Sequence, residues 1–134
     1  MKIIIIGGNR FVGKLLAQQL SYLPNMSVTL INRTGTGPNN CILIKCDRNT
    51  EEFKQQLKNI KADIVIDMCL YNINQYDFIK PLLKQTNLKK YIFISSIASK
   101  IKSFGNYGVQ KQLLEDKIKK STLPYIILQP TYII

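Results

Sequence analysis

IIIIGGNRFVGKLLAQQL, residues 3–20, decides the fold. Four consecutive isoleucines read as a short strand covered on both faces. The glycines that follow break the strand, and Val12, Leu15, Leu16, Leu20 and Leu23 then recur at helical spacing. Strand, glycine turn and helix in that order form a phosphate cradle. Gly7 and Gly8 can take a tight turn where a side chain would block a pyrophosphate, and Gly13 lets the helix pack closely on the strand. The helix start supplies unpaired N–H groups and a partial positive charge. The unit from Met1 to about Arg33 is therefore expected to hold a dinucleotide by its pyrophosphate.

Outward from that unit, aliphatic runs alternate with amphipathic stretches. Ile3–Ile6, Val28–Ile31, Ile42–Ile44, Ile64–Ile66, Tyr91–Ile94 and Tyr125–Leu128 each read as a buried strand. Between them, Phe53, Leu57 and Ile60 share a helical face, as do Leu113, Leu114 and Ile118. Tyr76, Ile79, Leu82 and Leu83 make another, with Pro81 expected to kink or restart that helix. Thr34–Asn40, TGTGPNN, reads as a turn-rich loop. This alternation predicts an α/β fold: a doubly wound parallel sheet of about six strands in the order 3-2-1-4-5-6, in three α/β/α layers. The 134 residues are expected to make one Rossmann domain. Its ligand should sit at the carboxyl ends of the strands, where the order reverses.

Composition narrows the chemistry. The chain has no histidine, which excludes Ser-His-Asp and Cys-His catalysis. Cys41, Cys46 and Cys69 match no metal-ligand spacing, so no metal site is expected. No apolar run approaches 18 residues, and Met1 leads directly into the first strand. The expectation is a cytoplasmic protein with no membrane span and no leader. The net charge of +11 comes largely from lysines scattered over several predicted helices. It reads first as solvated surface and second as attraction to an anionic partner.

The arginines are more informative than the lysines. There are three against sixteen lysines, and Arg10, Arg33 and Arg48 each fall just after one of the first three strands. On a doubly wound sheet those ends lie side by side, around the adenosine half of a cofactor. A planar guanidinium suits bidentate phosphate binding. NAD-specific sheets place an acid on the ribose 2′-hydroxyl after the second strand, where this chain has Asn32 and Arg33. A carboxylate would repel a 2′-phosphate and Arg33 would attract it, so NADP(H) is expected over NAD(H).

GGNRFVG, VTLINR, CDRNTEEF, ADIVIDMCLYN, YIFISSIAS, YGVQK and PYIILQPTYI together resemble the extended short-chain dehydrogenase/reductase superfamily. The resemblance is greatest to the NAD-dependent epimerase/dehydratase type with a GGTRF turn, a branch that includes the chloroplast stem-loop-binding proteins. It implies that Gly7, Gly8, Asn9, Arg10, Phe11, Val12 and Gly13 form the cofactor turn. Asn32 and Arg33 would meet the adenosine ribose, with Asp47 on the adenine and Arg48 nearby. Met68, Cys69 and Leu70 would lie along the cofactor. Tyr107 and Lys111 match the family's YxxxK pair, and Ser96 its catalytic serine or threonine. Gln129 and Pro130 fall where the family often has Arg-Pro beside the nicotinamide.

The chemistry of that triad is intelligible from the residues. Tyr107 and Lys111 are one helical turn apart and share a face. A nearby ammonium and a cationic nicotinamide favour the phenolate, which otherwise needs a pH near ~10. Ser96 could hydrogen-bond a substrate oxygen. Two departures from the family bear on this. Tyr107 follows Ser96 by only 11 positions, which shortens a loop that helps shape the substrate site. The sequence also stops at PTYII, where the family continues into a carboxyl-terminal substrate region. The cofactor half is expected present and the region that selects the small-molecule substrate absent. The apolar Ile133 and Ile134 there point to self-association or a partner chain.

Three readings follow. The first is an oxidoreductase or epimerase-type enzyme acting on a hydroxyl or carbonyl group with Ser96, Tyr107 and Lys111. The second is a non-catalytic NADP(H)-binding module, a sensor or a subunit. The third is an RNA-binding protein, suggested by the charge and by the stem-loop-binding relatives. It is the least favoured, because the chain lacks an aromatic-basic stripe for bases.

Overall fold

Every predicted strand forms, each within one residue of its expected bounds. The computed structural model describes residues 1–85, 87–101 and 105–131. Along them run β1 (Lys2–Ile6), α1 (Phe11–Ser21), β2 (Ser27–Asn32), β3 (Ile42–Lys45), α2 (Glu51–Ile60), β4 (Ile64–Asp67), α3 (Ile73–Gln85), β5 (Lys90–Ile94), α4 (Gly105–Lys119) and β6 (Tyr125–Leu128). The strands make one sheet in the order β3-β2-β1-β4-β5-β6. All five pairings are parallel, with Ile5 opposite Leu30 and Ile66 at the centre. This is the predicted doubly wound Rossmann topology, with the order reversing between β1 and β4.

Side-chain alternation along the strands splits the core in two. On one face Ile4, Ile6, Val65, Tyr91 and Phe93 pack against Phe53 and Leu57 of α2, Tyr76, Ile79 and Leu83 of α3, and Leu114 and Ile118 of α4. On the other, Ile3, Ile5, Val28 and Leu30 pack against Ala17 of α1. Each fully buried aliphatic or aromatic side chain contributes on the order of 1.5–3 kcal/mol.

Local sequence sets the helix ends. Thr50 caps α2, its side chain accepting from the Phe53 N–H, and Glu51 and Glu52 complement the helix dipole. Lys61 closes α2 in the left-handed region. α3 runs through Pro81 as one helix rather than restarting there. A 3-10 turn over Ile97–Lys100, which the sequence reading did not anticipate, links β5 towards α4.

Two expectations differ from the structure in detail. The strands were expected to be covered on both faces, yet Ile42, Leu43, Tyr125, Ile126 and Leu128 are exposed. β3 and β6 are the two edges of the sheet, and each lacks a neighbour on one side. Ile133 and Ile134, expected to mark an interface, lie outside the described residues. Among the described residues no helix is long and apolar enough to cross a membrane.

Candidate functional site

The carboxyl ends of β1, β2, β4 and β5 open onto a cleft of about 650 Å³. Its first wall is the glycine turn. Gly7 continues the β1–β2 ladder, donating to the Ile31 carbonyl at 2.8 Å. Gly7 and Gly8 both have positive φ, and a Cβ on Gly8 would stand 2.9 Å from Ile5 Cγ2. A Cβ on Gly13 would meet Gly8 Cα at 2.7 Å, so α1 rests directly on the turn. The helix start is bare. Arg10 occupies the N-cap without a side-chain cap, and no acid lies in the first turn. α2 is the contrast, with a threonine cap and two glutamates. The first-turn N–H groups of α1 thus have no side-chain cap, and Arg10, Phe11, Val12 and Gly13 line the cleft.

The second wall follows β2. Asn32 is buried, and its carboxamide is consumed by the next loop. Its Oδ1 accepts from the Gly35 N–H at 2.7 Å and the Thr36 N–H at 3.3 Å. Its Nδ2 donates to the Thr36 carbonyl at 2.9 Å. Asn9 ties the glycine turn to the same loop through Thr34 at 3.1 Å. Arg33, next to this pinned residue, is exposed and lines the cleft, as Arg10 and Asp47 do.

Arg48 is placed differently from the other two arginines. It lines the cleft but is only 8% exposed, because its guanidinium turns inward onto Asp67. The pair is bidentate, Nη1 to Oδ1 at 2.7 Å and Nη2 to Oδ2 at 3.0 Å. Tyr91 also donates to Asp67, at 2.9 Å. Burial opposes the charge on Arg48, but the Asp67 carboxylate more than offsets that and holds the guanidinium protonated. Desolvation, with Asp67 alongside, pushes the Tyr91 hydroxyl well above its ordinary value. The three arginines therefore do not present three free forks: two face solvent at the cleft, and the third neutralises a buried acid beneath it.

The third wall carries the remaining candidates. Met68, Cys69, Tyr71, Ser96, Tyr107, Lys111 and Pro130 all line the same cleft. Cys69 lies under Gly7, and burial raises its thiol. Leu70 is apart from the lining; it is fully buried, and its carbonyl accepts from Lys111 Nζ at 2.7 Å. A second bond reaches the Ile94 carbonyl at 3.4 Å. The Lys111 ammonium also stands 5.1 Å from the ring centroids of Tyr71 and Phe93 and 5.6 Å from that of Tyr107. Burial lowers Lys111 to about 8. Ser96 Oγ accepts from the Ala98 N–H at 3.1 Å, which caps the 3-10 turn and still leaves a hydroxyl proton to donate. Tyr107 is half-exposed at the mouth.

Glu115 escaped the sequence reading, although it stands one turn beyond Lys111 on the face that holds Leu114 and Ile118. It is buried, accepting from Ser95 Oγ and from Gln129 Nε2 at 2.9 and 3.0 Å. Gln129 thus faces Glu115 rather than the cleft. The carboxylate fastens the ends of β5 and β6 to α4, beside Ser96 and Pro130. Burial raises its pKa, but hydrogen bonds from Ser95, Gln129 and Ser99 outweigh that and hold it below the ordinary carboxylate value. The unfolded chain binds the proton more readily, so this stabilisation is present above about pH 4.3 and is lost as pH falls through the lower folded value. Glu115→Gln should cost about 1–3 kcal/mol at pH 7, because an amide turns two donors towards the Gln129 amide. Urea unfolding at pH 7 and in acid should show the cost shrinking on acidification.

No family model and no curated protein sequence matches the chain. Solved structures do match. UDP-glucuronic acid 4-epimerase from Bacillus cereus, in complex with NAD, superposes with a TM-score of 0.79 at 20% identity, over 98% of this chain and 56% of that one. A short-chain dehydrogenase/reductase from Veillonella parvula gives 0.77 at 17%, over 96% and 67%. A Rossmann-fold NAD(P)-binding family protein from Shigella flexneri gives 0.77 at 23%, over 98% and 67%. The chain spans little more than half the length of the epimerase. At these identities the likeness establishes architecture: the chain has the Rossmann fold of NAD-binding epimerases and short-chain dehydrogenases.

Proposed function

We propose that the cleft binds a nicotinamide dinucleotide, NADP(H) in preference to NAD(H), and that the chain is an oxidoreductase or epimerase-type protein of the extended short-chain dehydrogenase/reductase kind. One observation carries the proposal. α1 begins without a cap or an acid, directly over a turn whose glycines leave no room for side chains. A pyrophosphate satisfies those N–H groups and complements the dipole. Arg10 and Arg33 would take the adenosine 2′-phosphate, Asn32 would hold the loop that presents Arg33, and Asp47 would face the adenine. Arg48 serves this reading as the support beneath the nucleotide, its charge already matched by Asp67. Leu70 contributes its carbonyl to Lys111 rather than a side chain to the cofactor.

When bound, the nicotinamide supplies hydride transfer. The chain's part is to move the proton: Tyr107 gives or takes it at the substrate oxygen, Ser96 donates a hydrogen bond to that oxygen, and the Lys111 ammonium favours the Tyr107 phenolate. Tyr107→Phe should lower carbonyl-dependent NADPH oxidation about 100-fold or more. It should leave NADPH affinity within about twofold, a change worth less than ~0.5 kcal/mol. Stopped NADPH oxidation with a panel of aldehydes and ketones, beside fluorescence titration of NADPH, separates the two effects. Equal turnover by both forms would remove Tyr107 from the chemistry. Binding without turnover in either form would leave the cofactor site intact and make the chain a binding module.

A further inference from the structure

The lysines are scattered along the sequence, but the fold gathers many of them in one place. In a parallel sheet every strand begins at one pole, and the helices that return the chain end there. At that pole Lys2 opens β1, and Lys89 and Lys90 lead into β5. Lys58 and Lys61 close α2, Lys84 lies in the last turn of α3, and Lys119 and Lys120 end α4. All of these lysines are exposed. The cofactor cleft lies at the other pole, beyond the carboxyl ends of the strands.

Few carboxylates answer these charges. Asp47, Glu51 and Glu52 belong to the opposite pole, and Asp67 and Glu115 are buried. Asp77 is committed to Lys117 at 2.6 Å. Asp63 does lie at the basic pole, where it accepts from the Lys2 N–H at 2.8 Å and pairs with Lys89 at 3.8 Å. That leaves Asp116, in the last turn of α4, to oppose the other lysines. Each helix carboxyl end adds only about −0.5 of a charge, so the pole stays strongly positive. α2 touches α3 and α3 touches α4. Packed helices lie about 8–10 Å apart, so the lysines at their ends line up over roughly 20 Å. β1 and β5 are two strands apart, about 10 Å. Such spacings are comparable with the ~8 Å Debye length, and the charges therefore act together on one extended polyanion.

The kind of anion follows from the residue types. Arg10 and Arg33 lie at the opposite pole and Arg48 is buried, so no guanidinium fork is offered here for bidentate capture of a single phosphate. Each side-chain cation of the pole is a lysine, a point charge on a flexible stem. Among the described residues the surface is made of strand starts, helix carboxyl ends and turns, with no helix start or β-ribbon to enter a duplex groove. A flexible single strand needs no such fit. Tyr22, which ends α1, and Tyr125, which opens β6, add exposed rings at the same pole on which bases can stack. We propose that this pole binds single-stranded nucleic acid through its phosphodiester backbone, without regard to sequence. None of these residues lines the cleft, so the proposal is independent of the cofactor.

Fluorescence anisotropy of labelled oligouridine and oligothymidine of roughly 20 nucleotides, titrated with the chain, tests it. Both should bind, within about threefold of each other, because phosphates rather than the 2′-hydroxyl are contacted. Between about 50 and 200 mM KCl the log–log salt slope should be about −3, as expected when about four phosphates are neutralised. Lys119→Glu with Lys120→Glu should weaken binding at least tenfold, and so should Lys84→Glu with Lys90→Glu. Lys45→Glu with Lys100→Glu removes the same net charge at the cleft pole and should weaken it less than about threefold. All six positions are exposed, and unchanged far-UV circular dichroism would verify folding. Absence of binding at about 50 mM salt, equal losses in the three double variants, or displacement by NADP+ would overturn the proposal. So would binding to phosphatidylserine vesicles with the oligonucleotides left unbound, because the partner would then be a membrane surface.

Discussion

Asp67→Ala should destabilise the fold by about 3–5 kcal/mol, the cost of leaving a buried charge without its partner. Asp67 is fully buried and accepts from Arg48 twice, from Tyr91 Oη, and from the Cys69 N–H at 3.3 Å. Without it the guanidinium stays buried, with Nε already lacking a partner among the described residues, and the Tyr91 hydroxyl is orphaned too. Native stability is only about 5–15 kcal/mol for a typical domain, so this one change could consume much of it. Removing both charges should hurt less than removing one. Arg48→Met combined with Asp67→Leu should recover most of the loss, because the pair's desolvation cost disappears with it. Guanidinium unfolding of the two single variants and the double variant at pH 7 measures this. An Asp67→Ala cost below about 1 kcal/mol would mean that the pair is solvated and that the cleft has no such floor.

Gly13→Ala should abolish most dinucleotide binding, lowering affinity about 100-fold, or ~2.7 kcal/mol. The added Cβ would lie 2.7 Å from the Gly8 Cα, which is backbone and cannot rotate aside. α1 must therefore lift from the turn, carrying its N–H groups away from the phosphates they would hold. The overpacking itself should cost about 1–3 kcal/mol of stability. Gly105→Ala is the control. Gly105 has φ +60, but among the described residues a Cβ there meets nothing within 4 Å, so only local strain of about 1–2 kcal/mol is expected. Binding should be unchanged in that variant. Calorimetric titration with NADP+ distinguishes the two.

The sheet was legible because six aliphatic runs sit between amphipathic stretches, an alternation that a parallel doubly wound order accommodates. The glycine turn was legible for a similar reason: Gly7, Gly8 and Gly13 serve one local geometry within seven residues. Arg48 was harder. Its place after β3 is shared with a phosphate ligand, and its partner Asp67 lies on β4, across a contact no spacing rule encodes. The available signal was Asp67 itself, an acid inside the aliphatic run IVID, which a buried strand tolerates only when the charge is matched. Lys111 and Glu115 look like surface residues of a charged helix. Their periodicity with Leu114 and Ile118 placed them inward, but the carbonyls and amides that receive them come from β5, β6 and the segment after β4. Asn32 shows the same limit, since its position resembles a ribose ligand while its carboxamide folds the next loop.

The proposed site for a 2′-phosphorylated dinucleotide consists of an uncapped helix start and the exposed Arg10 and Arg33. Calorimetric titration of the chain with NADP+ and with NAD+, repeated on Arg33→Asp, tests it most directly. Both nucleotides should bind, NADP+ at least tenfold more tightly, and Arg33→Asp should remove or reverse the difference, a change of about 1.4 kcal/mol or more. Equal affinities in the unmodified chain would contradict the assignment of Arg10 and Arg33 to the 2′-phosphate. Binding of neither nucleotide would contradict the site itself.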